Sequence, residues 1–536
     1  MTRVISSLLA IVLLCGLLTG CGNKKQNQSI DGGTLKVGIP QKISVTDYNE
    51  NAFTKYLEEN TGIDIEFVFF SSTASEYKQQ MSLMAASNEE FPDVLVGFYN
   101  LGTNTVNAYG EDGYFLDLTD LIEQYGTNFK AQYEKMAEDT KDHVDLRMEN
   151  PDDGCIYGMP FVMYTTVDHM QSVMYINQKW LDAVGMKAPT TIDELYSVLR
   201  AFKTKDPNGN GTADEIPMLG SNAIMDYVIN AYMYYEEAHQ YNIDDNGKVY
   251  APYVTNEYRE ALKTLNKMCE EGLYSDMSFT IGSKTELKNL YTPSNGVAQV
   301  GIIYGHPSTN TNTFSAVLDE YTALAPLSDE TGKGGYLVVS DDIVSLSGFI
   351  TKDCENPELA MKFLDFFYLD DTVTRMRRGE KDVDWEVKEG IDITGIKVPN
   401  STINGQAFFE GNQTWNMNIL GVLTPENFSV SMQTEDQGET RAAKLLAESH
   451  KQMQEYPIKE ETVRNLEYNA AEYEVKEQYE STLNAYVLEQ AKLFVMGTID
   501  IDSNTEWNAY LKQIDELAVS EVLEIKQSAY DRAKSK

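Results

Sequence analysis

The chain has 536 residues, 42% hydrophobic and 11% aromatic, which is enough apolar material for packed cores and excludes an intrinsically disordered polypeptide. Its length favours two or more lobes over one core. A formal net charge of -40 at pH 7 argues against nucleic acid or anionic membrane surfaces as partners, although by itself it reports solubility and names no ligand.

In chain order, Arg3 gives a minimal positive start, and Val4 to Leu18 is an apolar run of about fifteen residues, suited to a signal-peptide core and short for a membrane span. It ends in Leu18-Thr19-Gly20-Cys21, which is similar to a bacterial lipobox. Residues 1–20 are therefore expected to be a signal peptide, and 21–33 a lipidated Cys21 with a polar tether; the alternative is an uncleaved anchor helix. The first reading places the protein at the extracytoplasmic face of the cell membrane, held by its lipid anchor alone. Cys155, Cys269 and Cys354 are widely spaced, lack a CxxC, and imply neither a disulfide framework nor a zinc site.

Thr34 to Pro40 alternates like a strand, a helical pattern runs through Phe53, Tyr56 and Leu57, and Ile63 to Phe69 is a second strand. A helix with Tyr77, Met81, Met84 and Ala85 leads to a third strand over Pro92 to Gly97. Strand, helix, strand, helix, strand calls for a parallel sheet covered by helices, an α/β lobe. A second lobe is expected after Tyr157-Gly158-Met159-Pro160, with a strand at Val173 to Ile176, a helix near Trp180, and another opened by Thr191 and Glu194 at capping-box spacing. Gly296 to Tyr304 reads as a further strand and Tyr321 to Pro326 as a crossover; Ile343 to Ile350 and Pro357 to Tyr368 return to the first lobe. The expected division is 34–160 plus 325–375 for lobe 1 and 161–324 plus 376–536 for lobe 2, the end of the chain being mostly helical from about Gly438.

The run Asp206 to Glu215 places oxygen side chains at loop positions 1, 3, 5 and 9 and Gly211 at position 6, the pattern of a calcium loop. Its candidate ligands are Asp206, Asn208, Asn210, Thr212 through its carbonyl, and Asp214. The glutamate usual at position 12 is replaced by Pro217, and Glu215 can supply the missing carboxylate. Such hard ligands suit Ca2+ in a structural role and disfavour zinc or copper. A polar Asn-Gly turn would share much of this composition.

Met174 to Asp182, Pro189 to Leu195, Ala201-Phe202 and the Asp206 to Pro217 loop together resemble family 1 extracellular solute-binding lipoproteins, in the large oligosaccharide-binding branch with the alginate-binding and LplA-type lipoproteins. Tyr157 to Pro160, Glu271-Gly272-Leu273, Asn356 to Ala360, Trp507 to Tyr510 and Ala529 to Arg532 extend the resemblance over nearly all of the chain. It implies a periplasmic-binding-protein-like α/β fold with two lobes, a multi-stranded hinge and a ligand cleft between them. It also implies a monomeric receptor that hands an oligosaccharide to ABC transporter permease subunits. In alginate-binding relatives the matching loop holds calcium, which carries the same role to Asp206, Asn208, Asn210, Thr212, Asp214 and Glu215.

Sugars are held by aromatic faces against their apolar side, with polar groups at the hydroxyls. Trp385 and Trp415, in stretches that read as irregular, are the first candidates. Tyr304 with His306, and Tyr99 with Asn100, follow strands and would face the crevice; Tyr157, Phe161 and Tyr164 flank the first crossover. Trp180 and Trp507 read as core. With five His and no HExxH, GxSxG, strand-borne GxGxxG or P-loop, an enzyme is not expected. A sensor or adhesin on the same fold, or a peptide receptor, is the alternative that sequence leaves open.

Overall fold

The computed structural model describes residues 32–163, 173–220, 223–235, 240–280, 291, 297–305, 317–329, 331–332, 334–336, 344–393, 396–403, 412–415, 419–423, 431–432, 445, 449, 452–453, 456, 463 and 466–535. The expected signal peptide, tether and lipidation site at Cys21 lie outside them.

The alternation of β1 (Gly33–Pro40) buries Leu35, Val37 and Ile39. The helix Ala52–Thr61 starts where the Asn51 side chain accepts the Phe53 amide, and stops at Gly62. Gly62 has φ 70, the left-handed conformation that suits glycine, and its N–H closes on the Glu58 carbonyl. The chain then returns as β2 (Ile63–Phe70), parallel to β1 with Gly33 opposite Ile63. After the helix Ala74–Ser87, β3 (Val94–Val96) joins the other side of β1, also parallel. These are the strands and helices expected from the sequence.

The later strands are β4 (Met159–Met163), β5 (Val173–Asn177), β6 (Ile216–Leu219), β7 (Asn242–Ile243), β8 (Val249–Tyr250), β9 (Val300–Gly305), β10 (Tyr321–Leu324), β11 (Val344–Ile350), β12 (Trp385–Ile393), β13 (Ile396–Ile403), β14 (Gly421–Leu423) and β15 (Ser431–Met432). They complete a six-stranded sheet in the order β14-β4-β11-β3-β1-β2 and a four-stranded sheet β10-β5-β9-β6; β12-β13-β15 and β7-β8 form two smaller sheets. Each larger sheet has its own apolar core. One core runs from Leu35 to Val162 and from Val344 to Val422; the other runs from Met174 to Leu327 and from Val463 to Tyr530. The fold is thus α/β and two-lobed.

Three boundaries differ from the expected division. β4 keeps residues 161–163 in the first sheet. Residues 325–329 stay with the second lobe, since Leu327 lies in its core and Ser328 bridges Thr191. Residues 412–415 and 419–423 pack into the first lobe through Trp415, Leu420 and β14 rather than into the second. Tyr321 to Leu324, expected to be a crossover, is an edge strand antiparallel to β5. The stretch around Trp385, expected to be irregular, is the β12–β13 antiparallel pair.

Strand direction shows which edge of each sheet faces the other lobe. β4 leaves the first sheet at its C-terminal end toward β5, and β11 re-enters after β10. β11 is antiparallel to both β3 and β4, so the C-terminal ends of β1 to β4 all point toward the second lobe. In the second sheet β9 is antiparallel to β5 and β10 is too, so the C-terminal ends of β9, β6 and β10 point back toward the first lobe. The lobes also meet through the Arg147–Glu467 ion pair at 2.8 Å and the Asp152 carboxylate, which accepts the Ala470 amide at 2.8 Å.

Candidate functional site: an inter-lobe cleft and an oxygen-rich loop

On the first lobe the cleft edge is built from the turns after β1, β2 and β3. Tyr99 and Asn100 follow β3, Tyr99 at 36% exposure and Asn100 exposed. The turn after β1 is pinned throughout: Gln41 N–H donates to the Phe70 carbonyl at 2.9 Å, Lys42 N–H to the Tyr48 hydroxyl at 3.0 Å, and Val45 N–H to the Lys42 carbonyl at 3.1 Å. Asn412, at φ 54, ties the far side, with its side chain donating to the Asp47 carbonyl and accepting from the Asn51 side chain at 3.0 Å. Ile43 nevertheless stands 98% exposed on this turn, and Phe69, near the end of β2, is 44% exposed. The Phe69 ring stacks on Phe67 at 5.7 Å and tilts against Tyr48 at 5.2 Å.

On the second lobe Tyr304 is the residue before the last of β9, half-buried, opposite Met174 of β5. Its amide donates to the Tyr291 hydroxyl at 3.3 Å, and that hydroxyl donates in turn to the Leu219 carbonyl at 3.0 Å. The C-terminal end of β9, which carries Tyr304, points toward the first lobe. His306 and Tyr164 lie outside the described residues. Trp385 opens β12 opposite Ile403, and its side chain is likewise outside what is described.

Three expected ligand aromatics are instead packing residues. Trp415 is completely buried: Phe53 meets its face edge-on at 5.1 Å, Phe67 at 5.7 Å, and its Nε1 donates to Thr54 Oγ1 at 2.8 Å. No face remains for a sugar. Tyr157 is 7% exposed, its hydroxyl donating to Asp153 at 2.6 Å and its ring filling the space over Gly110. Phe161 is buried with Val373 and Leu423 where β4 passes β14. Trp180, edge-on to Phe202 at 5.2 Å, and Trp507, beneath the Arg259 guanidinium at 5.4 Å, are core residues as read from their helical settings.

The Asp206 loop folds around its oxygens. Asp206, itself at φ 48, accepts the amides of Asn210 at 3.1 Å and Gly211 at 3.0 Å, and Asn208 Oδ1 accepts Asn210 N–H at 3.0 Å. Asn210 Oδ1 accepts Thr212 N–H at 2.7 Å, and Asp214 accepts from the side chains of Asn210 at 2.9 Å and Gln299 at 3.0 Å. These donors, the Asn210 amide first, hold the Asp214 carboxyl below its usual range. Glu215 behaves oppositely: burial pushes its carboxyl up, and its Oε1 is buried with no hydrogen-bond partner. A buried, unpartnered carboxylate oxygen next to Asp206 and Asp214 is the chemistry a hard divalent cation would satisfy.

Among the described residues no group of three or more His, Cys, Asp or Glu is assembled for a metal, and Cys155, Cys269 and Cys354 are free thiols. No described helix is long and apolar enough to cross a membrane.

Residues 42–373 match the family model described as bacterial extracellular solute-binding protein. The fructooligosaccharide ABC transporter substrate-binding protein FusA of Streptococcus pneumoniae serotype 4 is 25% identical, over 98% of this chain and 97% of its own. Its structure as an EF-hand mutant in complex with fructo-nystose superposes with TM-score 0.67 and 21% identity, over 94% of this chain and 99% of that one. A human-milk-oligosaccharide (HMO) binding solute-binding protein of Bifidobacterium longum infantis has TM-score 0.74 at 20% identity, over 94% and 99% of the two chains. Alginate-binding protein AlgQ2, in a structure without calcium ion, has TM-score 0.64 at 22% identity, over 95% and 100%.

Proposed function

The chain belongs to the bacterial extracellular solute-binding proteins, and from that premise we propose that it captures an oligosaccharide between its lobes and delivers it to the permease subunits of an ABC transporter. The observation that carries the reading is end-to-end similarity to a fructooligosaccharide substrate-binding protein, 25% identical over 98% of this chain. The cleft geometry supports it. Tyr99 and Asn100 on one edge and Tyr304 on the other offer aromatic faces beside amide and hydroxyl groups, the pairing that an amphipathic sugar ring needs. Trp385, at the start of β12, remains a candidate for the same role. Ligand bridging both edges would shift the population toward a closed form, which the permease reads. Holding the ligand requires no bond to break, so the glycan should leave as it arrived.

Two further assignments belong to this reading. Asp206, Asn208, Asn210, Thr212, Asp214 and Glu215 would hold a structural Ca2+, neutralising the buried Glu215 carboxylate and fixing the loop against the β9 side through Gln299. Chelation with EGTA is expected to lower the melting temperature of the wild type by several degrees, and Glu215→Gln or Asp206→Ala should abolish that response. An unchanged wild-type melting temperature would remove the calcium assignment. Cys21 would be acylated, anchoring the receptor outside the membrane; palmitate labelling of the producing cells, lost in Cys21→Ala, tests this.

The function itself is tested by a thermal-shift screen against fructooligosaccharides, milk oligosaccharides, alginate and galacturonan fragments, and short peptides. Stabilisation by one glycan class is expected. Stabilisation by peptides alone would overturn the ligand assignment.

A further inference from the structure

Seven large hydrophobic side chains are exposed among the described residues: Ile43, Phe69, Leu83, Tyr99, Val254, Val383 and Met496. Three of them, Ile43, Phe69 and Tyr99, come from the C-terminal ends of the parallel strands β1, β2 and β3, on the edge facing the second lobe. Ile43 is not exposed because its turn is loose. The turn is held by the Gln41, Lys42 and Val45 amides, and Tyr48 is buried beneath it. Phe69 is likewise held, stacked on Phe67 at 5.7 Å with an interplanar angle of 11° and braced by Tyr48, so that one part of its ring stays open. A rigid apolar surface kept in water is preorganised for a contact. Gln41, exposed two residues before Ile43 on the same turn, adds a hydrogen-bonding side-chain amide.

We propose that Phe69 and Ile43 form a peripheral subsite that stacks on the apolar face of a terminal sugar unit and thereby reads the chain length of the bound oligosaccharide. The inference rests on the oligosaccharide reading given above and deepens it. Its position follows from strand order: β2 is the edge strand, and β1 separates it from β3, which Tyr99 and Asn100 follow. Two inter-strand steps make roughly 10 Å, about the length of a disaccharide. A ligand centred at Tyr99 reaches Phe69 only when it has further units on that side. An exposed aromatic face with the Gln41 amide on the adjoining turn fits a sugar ring better than an alkyl chain, which would make no use of the amide.

The test is calorimetric titration of the protein with a graded series, from the shortest to the longest member, of the glycan class that stabilises it. Phe69→Ala, Phe69→Tyr, Ile43→Ser and the wild type are compared, and all of these positions are exposed enough for melting temperatures to certify the fold. The wild type is expected to gain affinity with chain length. Phe69→Ala should lose roughly tenfold for the longest ligand, Ile43→Ser less, with the shortest ligand unaffected and Phe69→Tyr close to wild type. An equal loss at every length would show that the patch packs against the other lobe on closure, and overturn the subsite; no loss at any length would overturn it too. If the wild type binds no glycan, the oligosaccharide reading itself fails, a result distinct from either.

Discussion

Two regions of the molecule, one in each lobe, are held together by opposite means. Around Trp415 the first lobe is a nest of rings, Tyr48, Phe53, Phe67 and Phe367, with a single buried hydrogen bond to Thr54. In the second lobe the C-terminal helices Ala470–Val495 and Val519–Ser535 meet over a buried charge: Lys526, 6% exposed, pairs with Glu480 at 2.7 Å, donates to the Tyr468 hydroxyl at 3.1 Å and lies 4.2 Å from the Tyr241 ring centroid. Burial drives the Lys526 ammonium below its usual range, against the pull of Glu480. Apolar packing stabilises without demanding a partner of fixed geometry, whereas a buried pair is costly to desolvate and punishes the loss of either half. The ring nest around Trp415 should therefore tolerate conservative change, and the Lys526–Glu480 contact should show strong coupling between its two helices.

The largest effect is expected where packing is densest. Trp415→Ala should destabilise by about 3–5 kcal/mol through the cavity it leaves, with ligand affinity unchanged in the protein that remains folded. A selective loss of affinity would return Trp415 to the binding site. Lys526→Ala should cost about 3 kcal/mol by leaving Glu480 with the more distant Lys476, at 3.7 Å, and Lys526→Met with Glu480→Leu should recover most of it. Additive losses in that double variant would break the contrast between the lobes.

A charge in the first lobe sharpens the comparison by pH. Asp365, 4% exposed, accepts the amides of Asn128 at 2.9 Å and Phe129 at 2.8 Å at the start of the helix Thr127–Tyr133. Burial outweighs those bonds and raises its carboxyl from 3.8 to about 6. The native state thus takes up this proton near pH 6, while the unfolded chain waits until near pH 4, so this residue's contribution to stability grows as pH falls from 7 to 4. Integrated over that window it amounts to about 2–3 kcal/mol, and Asp365→Asn should flatten the slope of denaturation midpoint against pH. The smallest effect is expected at Asn469, whose side chain accepts the Glu472 amide while Glu472 returns the bond to the Asn469 amide. Asn469→Ala should cost about 1 kcal/mol in urea titration.

What was legible in the sequence follows the range of the interaction. β1 to β3 and their helices announce themselves by periods of two and of three to four, because each buries one face locally. The Asp206 loop is legible because all of its bonds but the one from Gln299 to Asp214 run between near neighbours in sequence. Thr191 does accept the Glu194 amide, but the Glu194 carboxylate turns to Thr190 instead of completing the box, and the reciprocal box forms at Asn469. Trp415 misled because its setting is locally irregular; its burial comes from Asn412, which ties the segment to Asp47 and Asn51 more than three hundred residues earlier. Lys526 and Glu480 were invisible for the same reason, since nothing in either neighbourhood announces a partner on another helix. Ile43 and Phe69 carried no signal either: an apolar residue at a strand end looks like core until its exposure is known.

The proposed capture of a glycan by lobe closure, without chemistry, is tested most directly by small-angle scattering of the protein with and without a stabilising glycan. A smaller radius of gyration on saturation, with the glycan recovered unaltered in mass, is the expected result. An unchanged radius at saturation, or a glycan recovered in pieces, would contradict it.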